Sequence, residues 1–200
     1  MERTMKLHET IFKNKHLDKL IRQSLHNNWQ GTLFEDYPKM DPKQKGGFGE
    51  VYVEGYVETL NDSKVNPPKG TGHDRIIDGY RTEIKFSLAS SNTKKDGKLI
   101  DPDCFTFNHI AIEKDWERFI FCGINPQNSQ QNVRRNGDEF PPVRAYFMLK
   151  EDFENYMNSA NNTIFKKQQG GKKSKNDDYM VTGHIQGLID LPFVKPLIQW

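Results

Sequence analysis

The sequence predicts an α/β domain, a mixed central β-sheet flanked by helices, and three segments carry that prediction. Asp78-Gly79 lies between two short runs of β-branched and aromatic residues, the strongest short-range hairpin signal there is. The run Arg118-Phe119-Ile120-Phe121-Cys122-Gly123-Ile124 is almost continuously apolar, as a strand covered on both faces is. Residues 6–28 carry Leu17, Leu20, Ile21 and Leu25 at helical spacing among Lys, Asp, Arg and Gln, which reads as an amphipathic helix.

In chain order, that helix is followed by a loop from Tyr37 to Gly47, where Pro38, Pro42 and Gly46-Gly47 break the chain. Residues 49–60 fit two patterns. Val51, Val53 and Val57 hint at the alternation of a strand. Val53, Tyr56, Val57 and Leu60 fit a helix equally well, and Glu50, Glu54 and Glu58 along one edge favour it, although Gly55 opposes it by about 1 kcal/mol. Pro67-Pro68-Lys69-Gly70 closes the element. The hairpin occupies His73 to Phe86, and residues 88–103, polar and holding Gly97 and Pro102, form a loop. A helix is predicted from Cys104 to Glu117, then the buried strand. Asn125 to Pro142 reads as a long polar loop, Val143 to Leu149 as a strand, and Lys150 to Ser159 as a short helix. Residues 166–178 are low-complexity and lysine-rich, and the apolar tail from Leu188 to Trp200 is expected to dock on the core.

The chain has 200 residues, enough for one domain with a sizeable core, and there is no internal repeat or clear boundary. Charged residues make up 28% and the hydrophobic set 34% of it, as in a soluble, rather polar chain. No run approaches the about 18 apolar residues of a membrane helix, and the N-terminus lacks the apolar stretch of a secretory signal. Cys104 and Cys122 match no zinc spacing and read as reduced thiols of a cytoplasmic protein. The net charge of +2 does not announce a nucleic-acid partner, but acidic residues gathered at a site can mask basic surfaces elsewhere.

Counting across the turn locates the candidate site. With Asp78 and Gly79 as the two loop residues, Ile77 faces Tyr80, Ile76 faces Arg81, Arg75 faces Thr82, and Asp74 faces Glu83. Opposed residues share a side of the pair, with Cβ atoms about 4.5–5.5 Å apart. Lys85, two positions past Glu83, shares that side. Ile77, Tyr80, Thr82, Ile84 and Phe86 take the other, where a core could bury them. Two opposed carboxylates repel, so the pairing calls for a cation, and a hard divalent ion such as Mg²⁺ suits carboxylate oxygens. A lysine alongside suits phosphodiester hydrolysis, by orienting the attacking water and stabilising charge on the phosphate. A solvated hairpin displaying Asp, Glu and Lys for solubility is the competing reading.

These residues resemble the PD-(D/E)xK nuclease superfamily, the fold of most type II restriction endonucleases. Asp74 matches its first acidic position and Glu83-Ile84-Lys85 its second, with His73 where the family name has Pro. The stretch from Phe105 to Pro126 is also similar to restriction-like enzymes, in which a helix crosses over into the next core strand. The resemblance covers about residues 46–126. It implies a restriction-endonuclease-like sheet and a Mg²⁺-dependent, sequence-specific double-stranded DNA endonuclease, working as a cytoplasmic homodimer. Asp74 and Glu83 would be metal ligands and Lys85 the cation at the water and phosphate. An auxiliary acid on the preceding helix is assigned to Glu50, with Glu54 as the alternative. A repair or structure-specific nuclease, or a DNA-binding module that has lost catalysis, are the other readings.

DNA contacts are expected from two segments. Residues 125–142 carry Gln131, Asn132, Arg134 and Arg135, suited to base edges. Residues 166–178 carry Lys172, Lys173 and Lys175, suited to phosphates. His73 is read as facing solvent or DNA, His109 and Trp116 as packing residues, and His184 as a DNA contact or an ordinary surface histidine. Asp78 is a turn residue on this register.

Overall fold

A computed structural model describes residues 29–89, 102–125, 133–135, 138–140, 142–159, 161–168 and 178–197. The helix expected over residues 6–28 lies outside them. A 3-10 turn at Tyr37–Lys39 leads into helix α1 (Pro42–Asn61), which settles the ambiguous segment. The helix starts seven residues before the 49–60 segment expected from the sequence. Its N-terminus is a full capping box: Gln44 N donates to Asp41 Oδ1 at 2.8 Å, and Asp41 N donates to Gln44 Oε1 at 3.0 Å. Pro42 occupies the first turn, where its missing N–H costs nothing. Gly46, Gly47, Gly49 and Gly55 cost about 1 kcal/mol each, more than the cap returns, so packing of the buried face carries the helix. Gly49, Val53 and Val57 recur every fourth residue and form the buried stripe, while Val51 is 63% exposed, as helical phase requires.

The strands are β1 (Val65–Asn66), β2 (Arg75–Ile77), β3 (Tyr80–Leu88), β4 (Cys104–Ala111), β5 (Arg118–Ile124), β6 (Val133–Arg135), β7 (Asp138–Phe140), β8 (Val143–Leu149), β9 (Lys166–Lys167), β10 (Asp178–His184) and β11 (Lys195–Pro196). Helix α2 (Lys150–Met157) follows β8, and a single turn, α3 (Gln186–Ile189), follows β10. The main sheet has six strands in the order β1-β2-β3-β5-β8-β11. Only the β3–β5 pair is parallel, so the central sheet is mixed. All seven residues of β5 are buried, as the apolar run predicts. Arg118 fits there because its guanidinium donates to Ile77 O at 2.8 Å and lies 5.0 Å from the Tyr80 ring.

A three-stranded sheet, β4-β10-β9, covers one face of the main sheet, with Phe107 and Phe121 rings meeting edge-on at 5.3 Å. Gly123 allows that approach: a Cβ there would lie 2.7 Å from the Phe105 ring. Strand β4 replaces the helix expected over residues 104–117. The misleading feature is a β-bulge. Phe107 pairs with Val181 and Ile110 with Tyr179, so three steps along β4 match two along β10. Phe107, Ile110 and Ala111 are therefore all buried at helical i, i+3, i+4 spacing although they are in a strand. His109, at φ 57, absorbs the extra residue.

The loop expected over residues 125–142 contains a two-stranded hairpin, β6–β7, in which Arg135 pairs with Asp138. Strand β8 and helix α2 match their predictions. The C-terminal tail docks as expected: Leu188 and Val194 are buried, and β11 pairs with β8. Cys104 and Cys122 are both buried, and neither forms a disulfide. Among the described residues no helix is long and apolar enough to cross a membrane.

On the other face of the main sheet α1 packs against β3, and Gly49 is the point of closest approach, since a Cβ there would run into Cβ of Phe86. Gly49→Ala is expected to destabilise the protein by about 1 kcal/mol, because overpacking costs about 1–3 kcal/mol and the helical gain returns only about 1. At Gly55 a Cβ meets nothing within 4 Å. Gly55→Ala should therefore stabilise by about 0.5–1 kcal/mol. Urea denaturation of the two variants checks the opposite signs.

Candidate metal centre

The β2–β3 register is the one counted from the sequence: Ile77 pairs with Tyr80, Ile76 with Arg81 and Arg75 with Thr82. Asp78 and Gly79 have φ of 51° and 88°, the doubly positive conformation of a type I′ turn, which Asp-Gly is suited to adopt. Asp78 also receives Lys64 N at 2.8 Å, a structural role consistent with its place in the turn.

Asp74 lies just before β2, outside the paired positions, and bonds to the partner of Arg75 rather than to Glu83. Its N–H donates to Thr82 O at 2.9 Å, and its Oδ2 accepts the Ile84 N–H at 2.7 Å. One carboxylate oxygen is thus tied to the β3 backbone. Glu83 is 1% exposed, and Lys85 Nζ donates to its Oε1 at 2.6 Å. Through the parallel register Glu83 and Lys85 stand beside Phe119 and Phe121. Their face of the sheet is therefore the one covered by β4. Thr82 and Ile84 are buried on the opposite face and Phe86 packs under α1, while Tyr80, expected in that set, is 46% exposed at the turn.

Three corrections concern residues near the hairpin. His73 does not face solvent: it is 5% exposed, its Nε2 accepting from Lys69 N at 3.3 Å. His109 is not a packing residue, since it lies exposed on the bulge, 3.1 Å from Asp178 Oδ2. Lys114, hidden inside the expected helix 104–117, belongs to the turn between β4 and β5 and donates from Nζ to Glu83 Oε1 at 2.7 Å. It stands 31 residues from Glu83, and no spacing in the sequence signals the contact. Trp116 is buried and donates to Ala111 O at 2.8 Å, as a packing residue should. His184 is exposed at the end of β10, its Nδ1 accepting from Gln186 N at 3.3 Å.

Glu50 and Glu54 both reach Arg75, Glu50 at 2.7 Å and Glu54 at 3.0 Å. Arg75 follows Asp74, so alternation directs it to the α1 side, away from Glu83. Of the two acids, Glu50 acts on Asp74: its charge adds to burial and to the Glu83 charge in raising the Asp74 pKa, against the Ile84 amide and Lys85. Burial lowers the Lys114 pKa, but its bond to Glu83 and the charges of Glu83, Asp74 and Asp178 outweigh that and raise it.

The residues fit a hard divalent cation. Glu83 Oε2 is buried without a hydrogen-bond partner, although both lysines take the other oxygen. A buried, unpartnered carboxylate oxygen beside a second carboxylate is costly unless a cation takes it up. Among the described residues no group of three or more His, Cys, Asp and Glu side chains gathers around a metal position. Two carboxylates with waters and phosphate oxygens are a usual set for Mg²⁺.

Of the segments expected to contact DNA, residues 166–178 reach this centre only through Asp178, whose charge acts on Lys114, among the described residues. Gln131, Asn132, Lys172, Lys173 and Lys175 lie outside the described residues, and of Arg134 and Arg135 only the backbone, in β6, is described. Comparison of the chain with protein-family models, with curated proteins and with solved structures gives no match.

Proposed function

We propose that the chain is a Mg²⁺-dependent endonuclease that hydrolyses phosphodiester bonds in double-stranded DNA, of the sequence-specific restriction type. The observation that carries this reading is Asp74 bonded to the Ile84 amide beside Glu83, whose Oε2 is buried and unpartnered, with Lys85 2.6 Å away on Oε1. Asp74 and Glu83 would hold the ion, which when bound lowers the pKa of its water and polarises the phosphate. The protein's own part is positioning. The Ile84 amide pins Asp74, Phe119 and Phe121 beside Glu83 and Lys85 limit water, and Lys85 keeps an ammonium beside the reacting phosphate. Glu50 is proposed as the auxiliary acid, holding Arg75 on the far side of the hairpin. Sequence readout by the segment around Arg134 and Arg135, a homodimer that cuts both strands, and a cytoplasmic location belong to the same proposal.

Incubation with Mg²⁺ and a DNA of known sequence tests it. Discrete fragments are the expected result. Smearing or junction-dependent cutting would replace the restriction reading with a repair-type nuclease, and DNA binding without cleavage would leave a binding module. A Mn²⁺ or Ca²⁺ soak should place an ion between Asp74 and Glu83, and its absence there counts against every nuclease reading.

A further inference from the structure

Lys114 is held in place by more than its own side chain. Its carbonyl accepts Lys150 Nζ at 2.8 Å and Trp116 N at 3.1 Å. Trp116, buried, bonds back to Ala111 O at 2.8 Å, and Glu117 N donates to Arg81 O at 2.8 Å. The turn between β4 and β5 is thus pinned on both sides of Lys114, and the backbone delivers its ammonium to Glu83 Oε1. Lys85 already bonds that oxygen at 2.6 Å, so one carboxylate oxygen carries two ammonium groups and its twin carries none.

The two lysines differ in freedom. The Lys85 side chain is 22% exposed and projects from the middle of β3, whereas the Lys114 side chain is 39% exposed and projects from a turn. Lys114 is the one able to leave Glu83 for solvent or a ligand with no change of backbone. In charge, Asp74 and Glu83 are matched by Lys85 and Lys114, so the pair of carboxylates is close to neutralised before any ion arrives. A divalent cation approaching Glu83 meets the repulsion of both ammonium groups at short range.

We propose that Lys114 is a further positioning residue of this site: a resident cation that competes with the divalent ion for Glu83 and, once displaced, takes an oxygen of the DNA phosphate. The inference rests on the nuclease reading above. It assigns different work to the two lysines, with Lys85 fixed on the strand and Lys114 exchanging between Glu83 and the substrate.

The test is Mn²⁺ affinity, read by electron paramagnetic resonance on the full chain without DNA, for wild type, Lys114→Gln and Lys114→Arg. Removing the competing charge should tighten Mn²⁺ binding by Lys114→Gln about tenfold at low ionic strength, and Lys114→Arg should bind as wild type does. Single-turnover DNA cleavage by Lys114→Gln at saturating Mn²⁺ should nevertheless fall by about tenfold or more, since the phosphate loses a cation. A tighter ion with slower cleavage is a combination that loosening of the turn would not produce. If wild type binds Mn²⁺ and Lys114→Gln binds it equally or more weakly, the Lys114 inference is overturned and the nuclease reading stands. Tighter binding with unchanged cleavage overturns the transfer to phosphate. Absence of Mn²⁺ binding by wild type overturns both the inference and the reading beneath it.

Discussion

Lys85→Ala is expected to cut DNA about 10³-fold more slowly than wild type while binding DNA with nearly unchanged affinity. The reasoning starts from position. Lys85 lies two residues past Glu83 on a nine-residue strand, in register with Phe121 of the fully buried β5, so its ammonium is delivered with little freedom. A cation held beside the reacting phosphate acts chiefly on the charge that develops in the transition state. Loss of such a group costs about 10²–10³-fold in rate, and loss of water orientation adds to this. Ground-state affinity comes mostly from phosphate contacts spread along the duplex, so one half-buried lysine contributes little to it.

The fold should survive this substitution. Breaking a buried ion pair usually costs about 3–5 kcal/mol, because the remaining charge is stranded. Glu83 is not stranded here, since Lys114 still donates to Oε1 at 2.7 Å. Single-turnover cleavage in Mg²⁺, paired with fluorescence anisotropy in Ca²⁺, separates rate from binding. Wild-type cleavage by Lys85→Ala would remove Lys85 from the mechanism.

The largest expected effect on stability lies at the far end of the sheets. Asp103, just before β4, is fully buried at φ 64, and Asn125, just after β5, is equally buried. They bond reciprocally: Asp103 N donates to Asn125 Oδ1, and Asn125 Nδ2 donates to Asp103 Oδ1, both at 2.7 Å. Arg144 of β8 approaches Asp103 Oδ2 at 3.2 Å, and Ile185 N donates to the Asp103 carbonyl at 2.7 Å. One residue therefore ties together the ends of β4, β5, β8 and β10. Asp103→Ala is expected to cost about 3–5 kcal/mol, because it strands the Arg144 charge and the Asn125 amide. Asp103→Asn keeps the acceptor and tolerates the left-handed backbone, so it should remain at least about 2 kcal/mol more stable than Asp103→Ala.

The two variants also separate charge from geometry as pH changes. Burial raises the Asp103 pKa, against Asn125, Arg144 and His184. A carboxyl that binds its proton more tightly when folded favours the folded state most at low pH. That contribution falls as pH rises from the ordinary carboxylate value, about 3.9, through the raised folded value, and is gone above it. Wild type should lose stability across that window relative to Asp103→Asn, which has no proton to lose there. Urea midpoints of the two proteins measured across that window check the sign, and an unchanged difference would rule the titration out.

The parts of this protein legible in the sequence are those encoded within a few residues. Asp78-Gly79 dictates the type I′ turn, the turn sets the register from Ile77–Tyr80 to Arg75–Thr82, and the hairpin that carries Asp74, Glu83 and Lys85 follows from it. The unbroken apolar run of β5 announces a strand covered on both faces, and β8 and α2 follow from short-range periodicity. In each case the signal is a turn preference or a hydrophobic period that neighbours along the chain can express. The start of α1 is local too, written in the capping box of Asp41-Pro42 and Gln44, although Gly46-Gly47 is a break signal just after it.

What could not be read depends on partners distant in sequence. The bulge at His109 gives β4 a helical spacing, and only pairing with β10 makes it a strand. Burial of Glu83 requires the second sheet to close over β3, and its contact with Lys114 requires the chain to return from β4 into β5. The nearness of two carboxylates is a local property of one hairpin, whereas the cations around them and the dryness of Glu83 Oε2 arise where two sheets meet.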